Sequence, residues 1–352
     1  MQILSAEAIM LLFLIAITIC IIFVRNILAI MIIYCAFSFA AMILYMFSGA
    51  PDVAFTEAVI GVISTLYFVV ALRSTQRHAK RFTNKRKASF VLGVILTITI
   101  LVIFSLIVDR LPSIGDPTSA PNMHIAKYYI ENGEPLTEAP NLVTEILADF
   151  RGFDTMLETT VMFLAGMAVC LILSNRREYR WDPAIYEKDR RFDGIDLRVI
   201  MAVAIPLILV FAVYVLMHGE VSLGGGFQAG ALLAIAYILF CTFDNPGRFR
   251  FRVALRLTIS LAACGVIIYA LAGLIPMLNG GKFMEYGKLP FPAESAAALH
   301  AAGITMIEVG VTIGVAATIV TIFNAILIRN QITKADTKKK QKNSQQSSQK
   351  GK

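Results

Sequence analysis

The chain has 352 residues, of which 57% are hydrophobic and only 16% charged, whereas a soluble domain carries about a quarter charged residues. With a mean hydropathy of +0.71, this composition excludes a cytosolic enzyme, a secreted disulfide scaffold and a disordered protein. The net charge of +8 would suit a nucleic-acid partner, but its distribution along the chain assigns it to the membrane and not to nucleic acid.

Apolar runs bounded by charge or by Gly/Pro clusters predict an all-α polytopic membrane protein. Nine transmembrane helices are expected, near 8–24, 26–47, 51–72, 88–108, 154–174, 199–217, 227–243, 255–276 and 300–328. If the spans alternate, Arg25, the 73–87, 175–198 and 244–256 loops and the C-terminal tail fall on one side, with 27 of the 32 Lys and Arg residues. Positive charge marks the cytoplasmic side, so the N-terminus is expected outside and the C-terminus in the cytoplasm. Glu7 precedes the first span without a basic flank, which argues against a cleaved signal peptide. The five cysteines all lie in apolar runs with no CxxC spacing, so neither a disulfide framework nor a zinc site is expected. From residue 331 the tail is Lys/Gln/Ser-rich and is expected to be disordered.

The longest external segment runs from Asp109 to Gly152. After Asn141, residues Leu142, Val143, Ile146, Leu147 and Phe150 recur at helical spacing, with Glu145 and Asp149 opposite. This pattern predicts an amphipathic helix whose apolar face meets the membrane or other helices.

A carboxylate at the centre of a span costs about 2.5–3.5 kcal/mol on insertion scales, so acids there are candidates for function. Asp52, Glu57, Glu158 and Glu308 are four such acids. Asp52 follows Pro51 in the first helical turn, where capping competes with any other role. Glu57 lies deeper, with the small residues Gly61 and Ser64 on its face, and its five-residue offset from Asp52 directs the two acids to different neighbours. Glu158 shares a face with Asp154. Glu308 has Thr305 and Thr312 within one turn, hydroxyls able to solvate a carboxylate or a cation. No Lys or Arg sits in the interior of any span, which makes proton exchange or Na⁺ binding at these acids chemically open. Between the sixth and seventh spans, His218, the triplet Gly224, Gly225 and Gly226, then Phe227 read as a structural turn. Gly226 and Gly230 form a GxxxG that favours close helix approach. His300 is expected at the surface. No motif for an enzyme or a bound cofactor is present.

Three stretches carry a resemblance. Gly49 to Ala58, GAPDVAFTEA, resembles the MbhD signature that also stands near the C-terminus of MrpA antiporter subunits. Asn141 to Phe163, NLVTEILADFRGFDTMLETTVMF, is similar to the MbhE segment. His218 to Gly230, HGEVSLGGGFQAG, resembles the glycine hallmark of MnhB/MrpB, also called MbhF. The sequence departs from these patterns at Leu157 and Leu223, where Gly and Pro are usual, and at Glu145 in a generally apolar patch.

The resemblance divides the chain into an MbhD-like module (1–87), an MbhE-like module (88–198), an MnhB-like module (199–330) and the tail (331–352). It implies a subunit of a multisubunit Mrp-type Na⁺/proton antiporter in a prokaryotic cytoplasmic membrane. The cargo would be H⁺ and Na⁺, with Asp52, Glu57 and Glu158 on the ion route. The expected partners are large antiporter-like subunits, small MrpC/E/F/G-like subunits and the lipid bilayer. Two alternatives stand beside it: the membrane arm of an Mbh-type hydrogenase or related redox complex, and a non-conducting scaffold.

Overall fold

The computed structural model describes residues 6–72, 84–108, 110–113, 115–173, 197–243 and 254–350. The basic 73–83, 174–196 and 244–253 stretches, with 13 of the 27 Lys and Arg residues assigned to one side, lie outside them. Among the described residues the architecture is all-α.

The first three long helices are α1 (Ala6–Phe23), α2 (Ile27–Phe47) and α3 (Pro51–Leu72). Asn26 caps α2, its side chain accepting the Leu28 N–H at 3.0 Å. The turn into α3 passes through Gly49 at φ +71°, and Pro51 then opens the helix, where a missing N–H costs nothing. Next come α4 (Asn84–Val108), two short helices α5 (Lys127–Thr137) and α6 (Leu142–Glu145), and α7 (Gly152–Leu173). A π-helical turn, Ile146–Phe150, joins α6 to α7. The last four are α8 (Leu197–His218), α9 (Gly226–Phe243), α10 (Leu255–Leu278) and α11 (Ala296–Lys350). Among the described residues eight helices are long and apolar enough to cross a membrane, and α9 is a shorter apolar helix over Gly226–Thr242.

α11 is the axis of the assembly. Ile304, Ile307, Val311, Val315, Ile319 and Phe323 are all buried, and α10, α9, α7 and α3 pack around it. Close approach is possible because the contacts are made by small residues. Gly265 of α10 faces Gly314 and Gly310, and Gly166 of α7 faces Thr318. Tyr67 of α3 reaches across to donate its hydroxyl to the Ile319 carbonyl at 2.6 Å.

One expectation is corrected. α11 continues to Lys350 where a disordered tail was expected. Its Lys, Gln and Ala residues are good helix formers and no Pro interrupts them, so a nucleated helix propagates past the membrane. The amphipathic segment forms as α6 and the π-helical turn that follows it. Thr144, Glu145 and Ala148 are buried while Leu142, Val143 and Leu147 are exposed, so the polar side faces the protein and the apolar side faces out.

Candidate functional site

The α6 segment is held by hydrogen bonds that its sequence supplies. Asn141 accepts the N–H groups of Val143 and Thr144 as N-cap and donates its amide to the carbonyls of Gly219 (3.2 Å) and Ser222 (2.7 Å) in the α8–α9 link. Thr144 donates to the Gly219 carbonyl at 2.7 Å. At the other end of the helix, Asp149 meets His300 of α11 at 2.5 Å. His300 is thus a partly buried partner of Asp149 and not a solvated surface residue. Glu145 lies beneath α5 against Gly133 and Thr137, and burial raises its pKa above the usual carboxylate value.

Inside this cap lies a cavity of about 250 Å³. Three acids line it: Asp52 from α3, Glu158 from α7 and Glu308 from α11. Thr56, Thr144, Thr155, Thr159, Gln228 and the glycine triplet add polar lining, and the lining residues include no Lys or Arg.

The triplet does more than turn the chain. Gly224 and Gly225 take φ values of +155° and +128°, a conformation that side chains rarely adopt. Gly224 directs its N–H to Asp52 Oδ1 at 3.4 Å. Asp52 is therefore tied to the α8–α9 link and does more than start its own helix. A Cβ on Gly225 would stand 3.1 Å from Glu308 Oε1, and one on Gly226 would strike the Glu308 carbonyl. The backbone of Gly226, at the N-terminus of α9, hydrogen-bonds the Glu308 carboxylate, where free N–H groups and the helix dipole favour negative charge. Glu308 Oε2 is buried and has no hydrogen-bond partner among the described residues. Gly230 continues the close contact, facing the Thr312 carbonyl and Val315.

The threonines flanking Glu308 are used differently from their expected role. Thr305 donates to Glu220 and to the Ala301 carbonyl, and Thr312 donates to the carbonyls of Gly226 and Glu308. Neither hydroxyl solvates the Glu308 carboxylate, because each finds a backbone or loop acceptor nearer. Gln228 instead bridges two elements, donating to Thr56 at 2.8 Å. Sequence reading passed over Gln228; a buried amide two residues after the triplet, within an apolar span, was the available signal.

Glu57 stands apart from the cavity. Its Oε1 accepts the Ser38 hydroxyl at 2.5 Å, and Gly61 one turn on makes room for that serine. The small stripe thus admits α2. Phe227 lines the cavity beside the triplet, while His218 stacks on Tyr214 with ring centres 5.0 Å apart. Asp154 is paired with Arg151 at 2.5 Å. Among the described residues no group of His, Cys, Asp and Glu has metal-site geometry.

Comparison with known proteins divides the chain along the same lines. Residues 12–77 match the MbhD domain of MBH, residues 117–188 the MbhE domain of MBH, and residues 197–321 a domain related to the MnhB subunit of Na⁺/H⁺ antiporter. The three matched segments follow one another along the chain and together span most of it. A putative antiporter subunit mnhA2 of Staphylococcus epidermidis is 32% identical over 153 residues, covering 44% of this chain and 18% of that protein. Its Staphylococcus aureus counterpart is 27% identical over 174 residues, covering 48% and 20%. The chain therefore spans about a fifth of the length of these relatives. Among solved structures, a chain of the Mrp complex from Dietzia sp. DQ12-45-1b shares the fold, with a TM-score of 0.71 over 93% of this chain and 35% of that one, at 22% identity. A chain of the membrane-bound sulfane sulfur reductase, an archaeal respiratory membrane complex, matches with a TM-score of 0.53 over 67% of this chain and 98% of its own, at 25% identity.

The cavity exists only where the three domains meet. The MbhD-type domain supplies Asp52 and Thr56, the MbhE-type domain Thr144, Thr155 and Glu158, and the MnhB-type domain the glycines, Gln228 and Glu308.

Proposed function

We propose that this chain is a subunit of an Mrp-type monovalent cation/proton antiporter and that the three-domain cavity is a station on its ion route. The observation that carries the reading is the lining: three carboxylates, with no Lys or Arg to neutralise them. Such a site takes a cation or a proton. Asp52 and Glu308 are each fixed by a backbone N–H, whereas Glu158 is exposed at the open side. The threonine hydroxyls and the Gln228 amide oxygen would share coordination of Na⁺, or of the hydronium that replaces it. Glu57, in the α2–α3 seam with Ser38, serves a further step of the same route. The working unit is the assembled complex with its large and small membrane subunits, in a prokaryotic cytoplasmic membrane. The basic loops would face the cytoplasm.

The test is Na⁺-dependent proton flux in liposomes holding the full complex. Glu308→Gln and Glu158→Gln keep the shape but remove titration, and each should lower exchange by about a hundredfold, the scale on which positioned acid–base groups act, while the complex still assembles. Wild-type exchange from both variants would leave the chain a scaffold. The likeness to the sulfane sulfur reductase supports a second reading, in which the same cavity serves the membrane arm of a redox-driven complex. Purification of the native complex separates the two, since the second requires co-purifying iron–sulfur subunits.

A further inference from the structure

The cavity is closed on one side and open on the other. Its α9 and α11 wall, with the glycines, Gln228 and Ile307, is buried, whereas Ile60, Val143, Leu147 and Glu158 are each more than a third exposed. The open side thus lies between α3 and the α6–α7 segment. Val161, one turn beyond Glu158, extends this flank and is 62% exposed. Glu158 lies six residues into α7, about 9 Å along the helix, and it has no hydrogen bond among the described residues.

A carboxylate at that depth does not face hydrocarbon; ionisable groups inside membranes pair with one another or face a protein or water-filled interior. The surrounding apolar side chains suit a helix surface better than an aqueous opening. With three acids and no Lys or Arg lining the cavity, a covering surface that completes the site needs positive charge.

Resting on the antiporter reading, we propose that this flank receives a transmembrane helix of another subunit, carrying a Lys or Arg level with Glu158. The incoming ammonium or guanidinium would pair with Glu158 and close the cavity, and its apolar neighbours would pack on Ile60, Val143, Leu147 and Val161. The pair would also set the charge that a transported cation meets, since a bound Na⁺ or proton competes with the basic side chain for Glu158.

The experiment places a photo-crosslinking phenylalanine derivative at Val161, outside the cavity lining, in the complete complex in native membranes. The expected product joins Val161 to a transmembrane segment with Lys or Arg within one turn of the attachment point. Glu158→Gln should reduce that product by about tenfold, as expected for loss of one partner of a buried ion pair. Exchanging the two charges between Glu158 and the identified basic residue should restore it. Cross-linking to lipid alone, or to a segment without a basic residue, overturns the proposal. Failure of the antiporter reading looks different: Glu158→Gln would then exchange ions like the wild type, whichever segment Val161 touches.

Discussion

α4 and α11 read alike in the sequence, each an apolar run long enough to cross a bilayer, yet they end in opposite environments. Every residue of α4 from 91 to 108 is exposed, whereas 72% of the most apolar part of α11 is buried. Hydrophobicity does not separate them; side-chain size does. The α4 run is dominated by Val, Ile and Leu, while α11 from Ala296 to Thr321 is interleaved with Ala, Gly and Thr. In lipid no hydrophobic force draws helices together, so association depends on close van der Waals contact and interhelical hydrogen bonds, which small residues permit. α4 also lies between the segments matched by the MbhD- and MbhE-type domains. It follows that the three-domain core closes without help from α4.

The largest expected effect comes from breaking the close approach to α11. A side chain at Gly226 meets the backbone carbonyl of Glu308, which cannot swing aside as a flexible side chain would. Gly226→Val should therefore abolish the folded α9–α11 pair, read as loss of a monodisperse peak and of a thermal transition in detergent. A wild-type melting profile would show that the interface tolerates a separation the geometry forbids.

What the sequence made legible follows the same division. Span positions came through because about 20 apolar residues are unambiguous, and the four acids stood out because charge inside a span is rare. Three of those acids share one cavity, but no spacing rule connects Asp52, Glu158 and Glu308 across 256 residues of sequence; only the packing on α11 does. Which side of the α6 segment meets the protein was left open by the sequence for a physical reason. In water the apolar stripe of Leu142, Val143 and Leu147 would turn inward, but beside a bilayer the polar stripe finds its partners in the protein: Gly219 for Thr144, and Thr137 for Glu145. Likewise the threonines near Glu308 were sound candidates by spacing, and lost to carbonyls one turn back in their own helix and to Glu220 and Gly226 across the contact.

A second perturbation sharpens the role of α11 without disturbing its core. Glu57 is reached from α2 and not from α11, so Glu57→Gln leaves the cavity unchanged and preserves an oxygen for Ser38. Exchange should fall by about tenfold or more if Glu57 titrates during transport, while the melting temperature stays at that of the wild type. Wild-type exchange removes Glu57 from the route and leaves the three cavity acids in place.

A smaller effect is expected where α11 holds the short α5 and α6 helices. The Asp149–His300 hydrogen bond ties the π-helical turn to α11. Hydrogen bonds to charged groups contribute about 1.5–3 kcal/mol, so His300→Ala should speed amide exchange over residues 142–150 by about tenfold or more. Equal protection in the variant would mean that Asn141 and Thr144 alone hold the helix.

Glu145 gives that same helix a pH dependence. Burial raises its pKa in the folded protein, so docking is favoured most below the carboxylate's ordinary value near 4.5 and weakens as pH rises through the folded-state value. Glu145→Gln stays neutral throughout. Its 142–150 segment should be protected at least as well at pH 8 as at pH 5, whereas wild-type protection declines over that interval. Parallel pH profiles would show that the carboxylate is not what the fold strains against.

The smallest effect belongs to α4, and it is the sharpest test of the comparison. Gly93 is the glycine of that helix, and a Cβ there meets nothing within 4 Å, in contrast to the crowded Gly226. Gly93→Ala introduces no clash in the chain itself and gains up to about 1 kcal/mol of helix propensity. The melting temperature of the isolated chain should stay level or rise slightly, and exchange by the complex should match the wild type. If Gly93→Ala instead blocked assembly, α4 would be a buried element of the complex, with a neighbouring subunit approaching its backbone as closely as α9 approaches α11. Exposure in the single chain would then mark a protein contact at Gly93, and small-residue content would have to be read along one face of a helix and not over its whole length.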